Sequence, residues 1–240
     1  MLSMHFWHKR QIKALIKNRQ QWATREFPRD LQILLSEPQL TPKTNIKSFD
    51  ILALDFETTG FDPDKNHVIS MGWVILHQGI IELQLARHLL INETSEPVNE
   101  SVKIHHLLPQ ELHNKGIHIA YAYQQLFKAM AGKLILAHGS VIENGYIQHY
   151  IQQHYGVSSF PMLWLDTLKI EQSKVQLFSP PQDKKDWRLA VIRERYGLPS
   201  YPAHHALVDA IATAELFLAQ MKVMFGNCDI CLADVLSLSN

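Results

Sequence analysis

Cysteine is nearly missing from this chain: Cys228 and Cys231 are the only two among 240 residues. Two cysteines exclude a disulfide framework and make a reducing cytoplasm the expected location. They have zinc-ligand spacing, but a structural zinc needs two further ligands, and no second cysteine pair exists. Long apolar runs are missing too. Nothing approaches the roughly 18 residues that a membrane-crossing helix needs, so no membrane contact is expected. The N-terminus is positively charged but lacks the continuous apolar stretch of a secretory signal. Repeats and low-complexity tracts are absent. Net charge is also absent, since Lys+Arg and Asp+Glu balance at 23 each. No global basic charge therefore advertises a nucleic-acid partner.

What is present is unevenly spread. Residues 1–25 carry Lys9, Arg10, Lys13, Lys17, Arg19 and Arg25 with no acid, leaving the remainder acidic. With 46% hydrophobic residues the chain can build one large α/β core, or a domain plus an appendage. Residues 5–24 set Phe6, Ile12, Leu15 and Ile16 among basic residues, which predicts an amphipathic helix. Pro28, Pro38 and Pro42 make 27–47 read as a linker. The expected division is a basic helical extension with its linker over 1–47, a main domain over 48–225, and a helical tail over 226–240.

In the main domain, Phe49–Leu54 reads as a buried strand. Val68–Leu76 and Ile80–Leu85 flank His77-Gln78-Gly79 as a hairpin. Helices are predicted over Ala120–Ala131, Ile142–His154, Trp187–Tyr196 and Ala206–Met224, and strands over Leu134–Ala137 and Leu163–Leu165. Asp166 is positioned to cap a further helix running through Gln176. An antiparallel opening followed by alternating helices and strands gives an α/β fold with a mixed sheet covered by helices.

Three places concentrate acids where apolar residues are expected. Asp55 and Glu57 flank Phe56 at the end of the first strand, so both carboxylates project to one side. Placing them against a core is costly unless a cation neutralises them. Glu143 falls in the first turns of a helix, after a strand that ends near His138. Asp209 lies inside an apolar helix, five residues after His204. Each alone has a bland reading: solvated strand-end acids, a helix N-terminal acid, a surface Asp near a helix start.

Taken together, Leu54-Asp55-Phe56-Glu57-Thr58-Thr59-Gly60, Ala137-His138 followed by Ile142-Glu143, and His204-x-Ala206-Leu207-x-Asp209-Ala210 resemble the three motifs of the DEDDh, or DnaQ-like, 3′→5′ exonuclease superfamily. That family includes the proofreading epsilon subunit of bacterial DNA polymerase III. Val102-Lys103-Ile104-His105, Leu165-Asp166-Thr167-Leu168, and Arg188-Leu189 through Tyr196-Gly197-Leu198 resemble its intervening segments. The resemblance covers roughly residues 48–222. It implies a ribonuclease H-like fold and phosphodiester hydrolysis with two Mg²⁺ or Mn²⁺ ions held by Asp55, Glu57, Glu143 and Asp209. It further implies that Asp55 bridges the ions and that His204 is the general base. Thr58, Thr59 and Gly60, with His105 and His138, would cradle the terminal nucleotide. One position departs from the pattern: the family's second motif usually carries Asp where this chain has Glu143. The extra methylene extends the reach of its oxygens by about 1.5 Å.

The expected substrate is single-stranded nucleic acid, DNA ahead of RNA, in repair or proofreading. The alternatives are an RNA-trimming member of the same superfamily and a strand-binding module with a degenerate metal site. The chain ends soon after the third motif, without the long tail by which the epsilon subunit docks on its polymerase. A free-standing enzyme, or one loosely associated with a polymerase or repair complex, is therefore expected. The basic N-terminal stripe suggests phosphate contact.

Overall fold

The computed structural model of the protein describes residues 2–35, 41–92, 112, 114–178 and 186–239, with side chains in the first helix described from residue 12 onward. Helix α1 (Leu2–Ala23) and the short α2 (Arg29–Leu35) precede strands β1 (Ile51–Thr58), β2 (Val68–His77) and β3 (Ile80–Leu90). Then come α3 (Ile119–Met130), β4 (Leu134–Ala137), α4 (Val141–Tyr155), β5 (Trp164–Asp166) and α5 (Thr167–Phe178). The chain closes with α6 (Leu189–Arg195), α7 (Ala206–Phe225) and α8 (Leu232–Leu238).

The five strands form one sheet in the order β3-β2-β1-β4-β5. β1, β2 and β3 pair antiparallel, whereas β4 and β5 run parallel to β1. The mixed sheet read from the sequence is thus the observed one. Its strands alternate between two cores, as their period of two requires. Ile51, Ala53, Val74, Leu76, Leu134 and Leu136 face Phe217 and Met221 of α7 and Leu232 of α8. Leu52, Leu54, Phe56, Met71, Trp73 and Ile135 face Leu126 and Phe127 of α3 and Ile147 and Ile151 of α4. The β2–β3 turn needs left-handed backbone at Gln78 (φ 51°) and Gly79 (φ 81°), as two-residue hairpins do.

β1 and β3 extend four and five residues beyond the expected strand ends, and α6 starts two residues later than expected. The apolar stripe of α1 is narrower than its composition suggests. Ile12 and Ile16 are buried in the core under α8, but Leu15 is 39% exposed. One turn on, Arg19 is buried, and its guanidinium donates to the carbonyls of Leu34 and Pro161. The segment expected to be a linker contains α2. Leu31, Leu34 and Leu35, at the i, i+3, i+4 spacing of one helix face, are all buried. Pro28 starts this helix instead of preventing it: its carbonyl accepts from the N–H groups of Leu31 and Gln32. Among the described residues, no helix is long and apolar enough to cross a membrane.

Candidate active site

β1 runs past β4, its parallel neighbour; their pairing ends at Ala53 opposite Leu136. Asp55 and Glu57 lie in this overhang, on the same face as Ile51 and Ala53, so they point toward the side covered by α7. Phe56 points the other way, into the core under α3 and α4. The partner of Asp55 across β2 is Gly72. A Cβ at Gly72 would lie 2.1 Å from the Leu207 nitrogen and 2.2 Å from the Ala206 carbonyl carbon. The missing side chain is what lets the N-terminus of α7 rest on the sheet and bring Asp209 over Asp55. Gly72→Ala is expected to displace that helix end, costing about 2 kcal/mol or more in stability as overpacking and weakening Mn²⁺ binding. Thermal melting and a Mn²⁺ titration check this.

Asp209, in the first turn of α7, also shapes the turn before the helix. Its Oδ2 accepts from the backbone N–H groups of His204 at 2.8 Å and His205 at 3.1 Å. His205 is the N-cap, with Nδ1 accepting from Val208 N–H at 3.4 Å. Its ring packs on that of His88, with centroids 4.3 Å apart. His204 is held in the left-handed region (φ 67°), which is uncommon for a non-glycine residue. Carboxylate oxygens of Asp55, Glu57 and Asp209 all lie within 4.8 Å of one another.

Glu143 enters from the opposite layer, in the first turn of α4, and is 5% exposed. Its own N–H and the Phe56 N–H in the β1 overhang favour its charged form. Its Oε2 is buried and has no hydrogen-bond partner among the described residues. Glu143 stands outside the 4.8 Å cluster, yet is close enough for its charge to act on Asp55 and Glu57. The turn leading to α4 is fixed by Asp166. Its Oδ1 accepts from Gly139 N–H at 2.9 Å, and its Oδ2 from Ser140 N–H at 2.9 Å and Ser140 Oγ at 3.0 Å. Asp166 also caps α5 as expected, accepting from Leu168 N–H at 2.9 Å.

The acids repel. Burial, then the charges of Glu143, Glu57 and Asp209, push Asp55 well above the usual carboxylate range. Burial raises Glu57 to about 8, with Asp209 and Glu143 adding to it. Burial also raises Glu143 to about 8, against the opposing effect of the Glu143 and Phe56 backbone N–H groups. Asp209 is raised by burial and partly restored by the His205 and His204 N–H groups. Four convergent carboxylates offering only oxygen, one of them with a buried unpartnered atom, fit hard divalent cations. They do not fit water alone.

The remaining expected site residues surround this cluster. Thr58 Oγ1 donates to the Gly60 carbonyl at 2.7 Å, and Tyr146 of α4 donates to the same carbonyl at 2.8 Å. Thr59 Oγ1 accepts from His67 N–H at 2.9 Å. The Thr58–Gly60 turn is therefore held rigidly beside Glu57. His138 is placed at the end of β4, but both ring nitrogens are engaged within the protein. Nε2 lies 2.9 Å from the Trp187 carbonyl and Nδ1 2.8 Å from Thr167 Oγ1. A carbonyl only accepts, so Nε2 carries the proton. Burial lowers the His138 pKa, so the ring is neutral and Nδ1 accepts from Thr167. The ring thus ties the second motif to the segment before α6, leaving its carbon edge and face for a ligand. His105 lies outside the described residues. His204 is exposed and lines a cavity of about 810 Å³ together with Asp55, His138, Arg188, Tyr201 and Asp209. Gly72 and Tyr146 carried no signal in the sequence reading. Asp166 did, as a helix cap, but its hold on the Gly139-Ser140 turn did not.

A family model described as Exonuclease, RNase_T, matches residues 52–217. The chain belongs to this exonuclease family. The DnaQ-like resemblance of its three motifs is thereby supported from a second direction. The chain is 28% identical over 173 residues to a DNA polymerase III PolC-type of Thermotoga maritima, covering 72% of this chain and 12% of that one. It is 26% identical over 185 residues to the PolC-type polymerase of Thermotoga petrophila, covering 77% and 13%. It therefore spans about one-eighth of the length of these relatives. Among solved structures, cell-death related nuclease 4 aligns with a TM-score of 0.62 at 15% identity, over 73% of this chain and 64% of that one. E. coli Exonuclease I in complex with a dA16 oligonucleotide gives 0.61 at 18%, over 74% and 41%. The nuclease domain of 3′hExo, a DEDDh family member bound to rAMP, gives 0.58 at 14%, over 75% and 97%. These likenesses identify the five-stranded sheet with its helices as the ribonuclease H-like exonuclease fold.

Proposed function

We propose that this chain is a 3′→5′ exonuclease that removes nucleotides from single-stranded DNA 3′ ends by hydrolysis, with two divalent cations, Mg²⁺ or Mn²⁺. One observation carries the reading. Carboxylates from β1, α4 and α7, distant in sequence, converge so closely that Glu143 and Asp209 raise the pKa of Asp55 and Glu57, and Glu143 Oε2 is buried without a partner among the described residues. Bound cations would supply Lewis-acid charge at the scissile phosphate and a readily deprotonated water.

In this reading Asp55, Glu57, Asp209 and Glu143 would hold the ions, and Asp55 is the acid on which all three other charges act. His204, at the cavity wall, takes the proton of the attacking water. The rigid Thr58–Gly60 turn and the ring face of His138 orient the terminal nucleotide. The enzyme acts in the cytoplasm in repair or proofreading, free-standing or loosely associated with a DNA polymerase or repair complex. Similarity to PolC-type polymerases and to the fold of an oligonucleotide-bound Exonuclease I supports DNA as substrate.

The test is digestion of a 5′-labelled single strand. A ladder shortening from the 3′ end is expected with Mg²⁺ or Mn²⁺, none with chelator, and faster cleavage of DNA than of matched RNA. Equal turnover in chelator would remove the metal mechanism, and faster RNA cleavage would reverse the substrate assignment.

A further inference from the structure

The wall of the 810 Å³ cavity on the His204 side contains an aromatic ring that the hydrolysis itself does not use. Tyr201 is 38% exposed, three residues before His204, and it is not a loose surface side chain. Its hydroxyl donates to Glu215 Oε1 at 2.9 Å, and the Arg193 guanidinium lies 4.7 Å from its ring centroid. Arg193 is 3% exposed and is itself fixed, donating to the Ala212 carbonyl at 2.6 Å, the Pro199 carbonyl at 2.9 Å and Glu215 Oε2 at 2.7 Å. The ring therefore has a cation against it, a locked hydroxyl, and a place in the same cavity as Asp55 and Asp209. Arg188 lines the same cavity, its side chain 80% exposed. Its Nε and Nη2 donate to Asp186, which orients the guanidinium and leaves Nη1 without a partner among the described residues.

We propose that Tyr201 and Arg188 form a second nucleotide subsite, in which Tyr201 stacks the base next to the terminal nucleotide and Arg188 Nη1 pairs with a backbone phosphate. The inference rests on the exonuclease reading and deepens it. A preorganised aromatic face binds any base, since every base presents a π-face, and a guanidinium adds charge to the contact. It places the leaving side of the strand beside the segments that flank α6.

Two substrates separate this subsite from the chemistry: the p-nitrophenyl ester of thymidine 5′-monophosphate, which carries one nucleotide, and an oligodeoxythymidylate. Tyr201→Ala is expected to lower the ratio of oligonucleotide to ester kcat/KM by roughly 5- to 100-fold, the value of one base stack. Tyr201→Phe, which keeps the ring, should hold that ratio within about threefold of wild type. Removing only the penultimate base from the oligonucleotide should bring wild type down to the Tyr201→Ala level. Arg188→Ala should flatten the salt dependence of oligonucleotide binding by about one phosphate contact. Equal losses on both substrates would overturn the proposal, because the ring would then act only by holding the His204 segment. A wild type indifferent to the missing base would overturn it too. A wild type that hydrolyses neither substrate with Mn²⁺ would instead fell the exonuclease reading itself, and the subsite with it.

Discussion

Asp55→Asn is expected to lower exonuclease turnover at least about 1,000-fold, the equivalent of some 4 kcal/mol of transition-state stabilisation. In chelator, the same variant should melt at a higher temperature than wild type. The two results have one cause. Asp55 is buried and exposed to the charges of Glu57, Glu143 and Asp209 at once. With cations bound, its charge is what holds them; without them, its charge is the most opposed in the site. Asparagine keeps the shape and opens no cavity, so loss of packing does not confound the comparison. Relief of repulsion should raise the chelated protein's melting temperature by roughly 2–4 °C for each kcal/mol gained. A variant that is inactive but also melts several degrees lower in chelator would mean that Asp55 has a structural role instead.

The second large effect is the dependence of metal-free stability on pH. Glu57 and Glu143 titrate near 8 in the folded chain against an ordinary value of 4.5. The folded state therefore holds protons that the unfolded state has already released. Stability falls as pH rises from the ordinary carboxylate range and levels off above about 8. Two groups complicate the acid end. Burial holds His88 near 4, with His205 adding to the effect, and burial lowers His138 as well. Both destabilise the fold as pH drops below about 6.5, so stability there climbs with pH. The window to measure is about pH 7 to 8.5, where the raised carboxyls titrate in opposition to folding and the lowered histidines no longer do. In chelator, the melting temperature should decline across that window, and less steeply in Asp55→Asn. Saturating Mn²⁺ should reverse the trend. A cation at a thousandfold excess over its Kd adds about 4 kcal/mol, or roughly 8–16 °C for a chain of this size. The gain should be larger near the alkaline end, where no proton competes. A chelated protein whose melting temperature rises through the window would contradict the carboxylate geometry.

The same electrostatics explain what was readable in the sequence. The period-two pattern of β1 set Asp55 and Glu57 on one face and Phe56 on the other, because strand geometry leaves no alternative. The hairpin and the later alternation of helices and strands fixed the mixed sheet, since apolar periodicity and turn residues agreed there. What stayed hidden depended on contacts between distant segments. Nothing local to Gly72 says that Ala206 and Leu207 will rest on it. Nothing near Arg193 says that its guanidinium will join Pro199, Ala212 and Glu215. α2 is hidden for a different reason: the prolines around it suggest a linker, although Pro28 only precedes the helix and three leucines mark one helix face. Glu143 needed the structure as well. Its departure from the usual Asp reads differently once the longer side chain is seen buried, with the Phe56 backbone N–H at the β1 overhang favouring its charge.

Crystals of the protein soaked in Mn²⁺ would test the central claim most directly, by anomalous scattering at the manganese edge. Two peaks about 4 Å apart are expected, enclosed by oxygens of Asp55, Glu57, Glu143 and Asp209 at about 2.0–2.3 Å. A map with no anomalous density among these four side chains, under conditions in which the enzyme degrades DNA, would contradict the account.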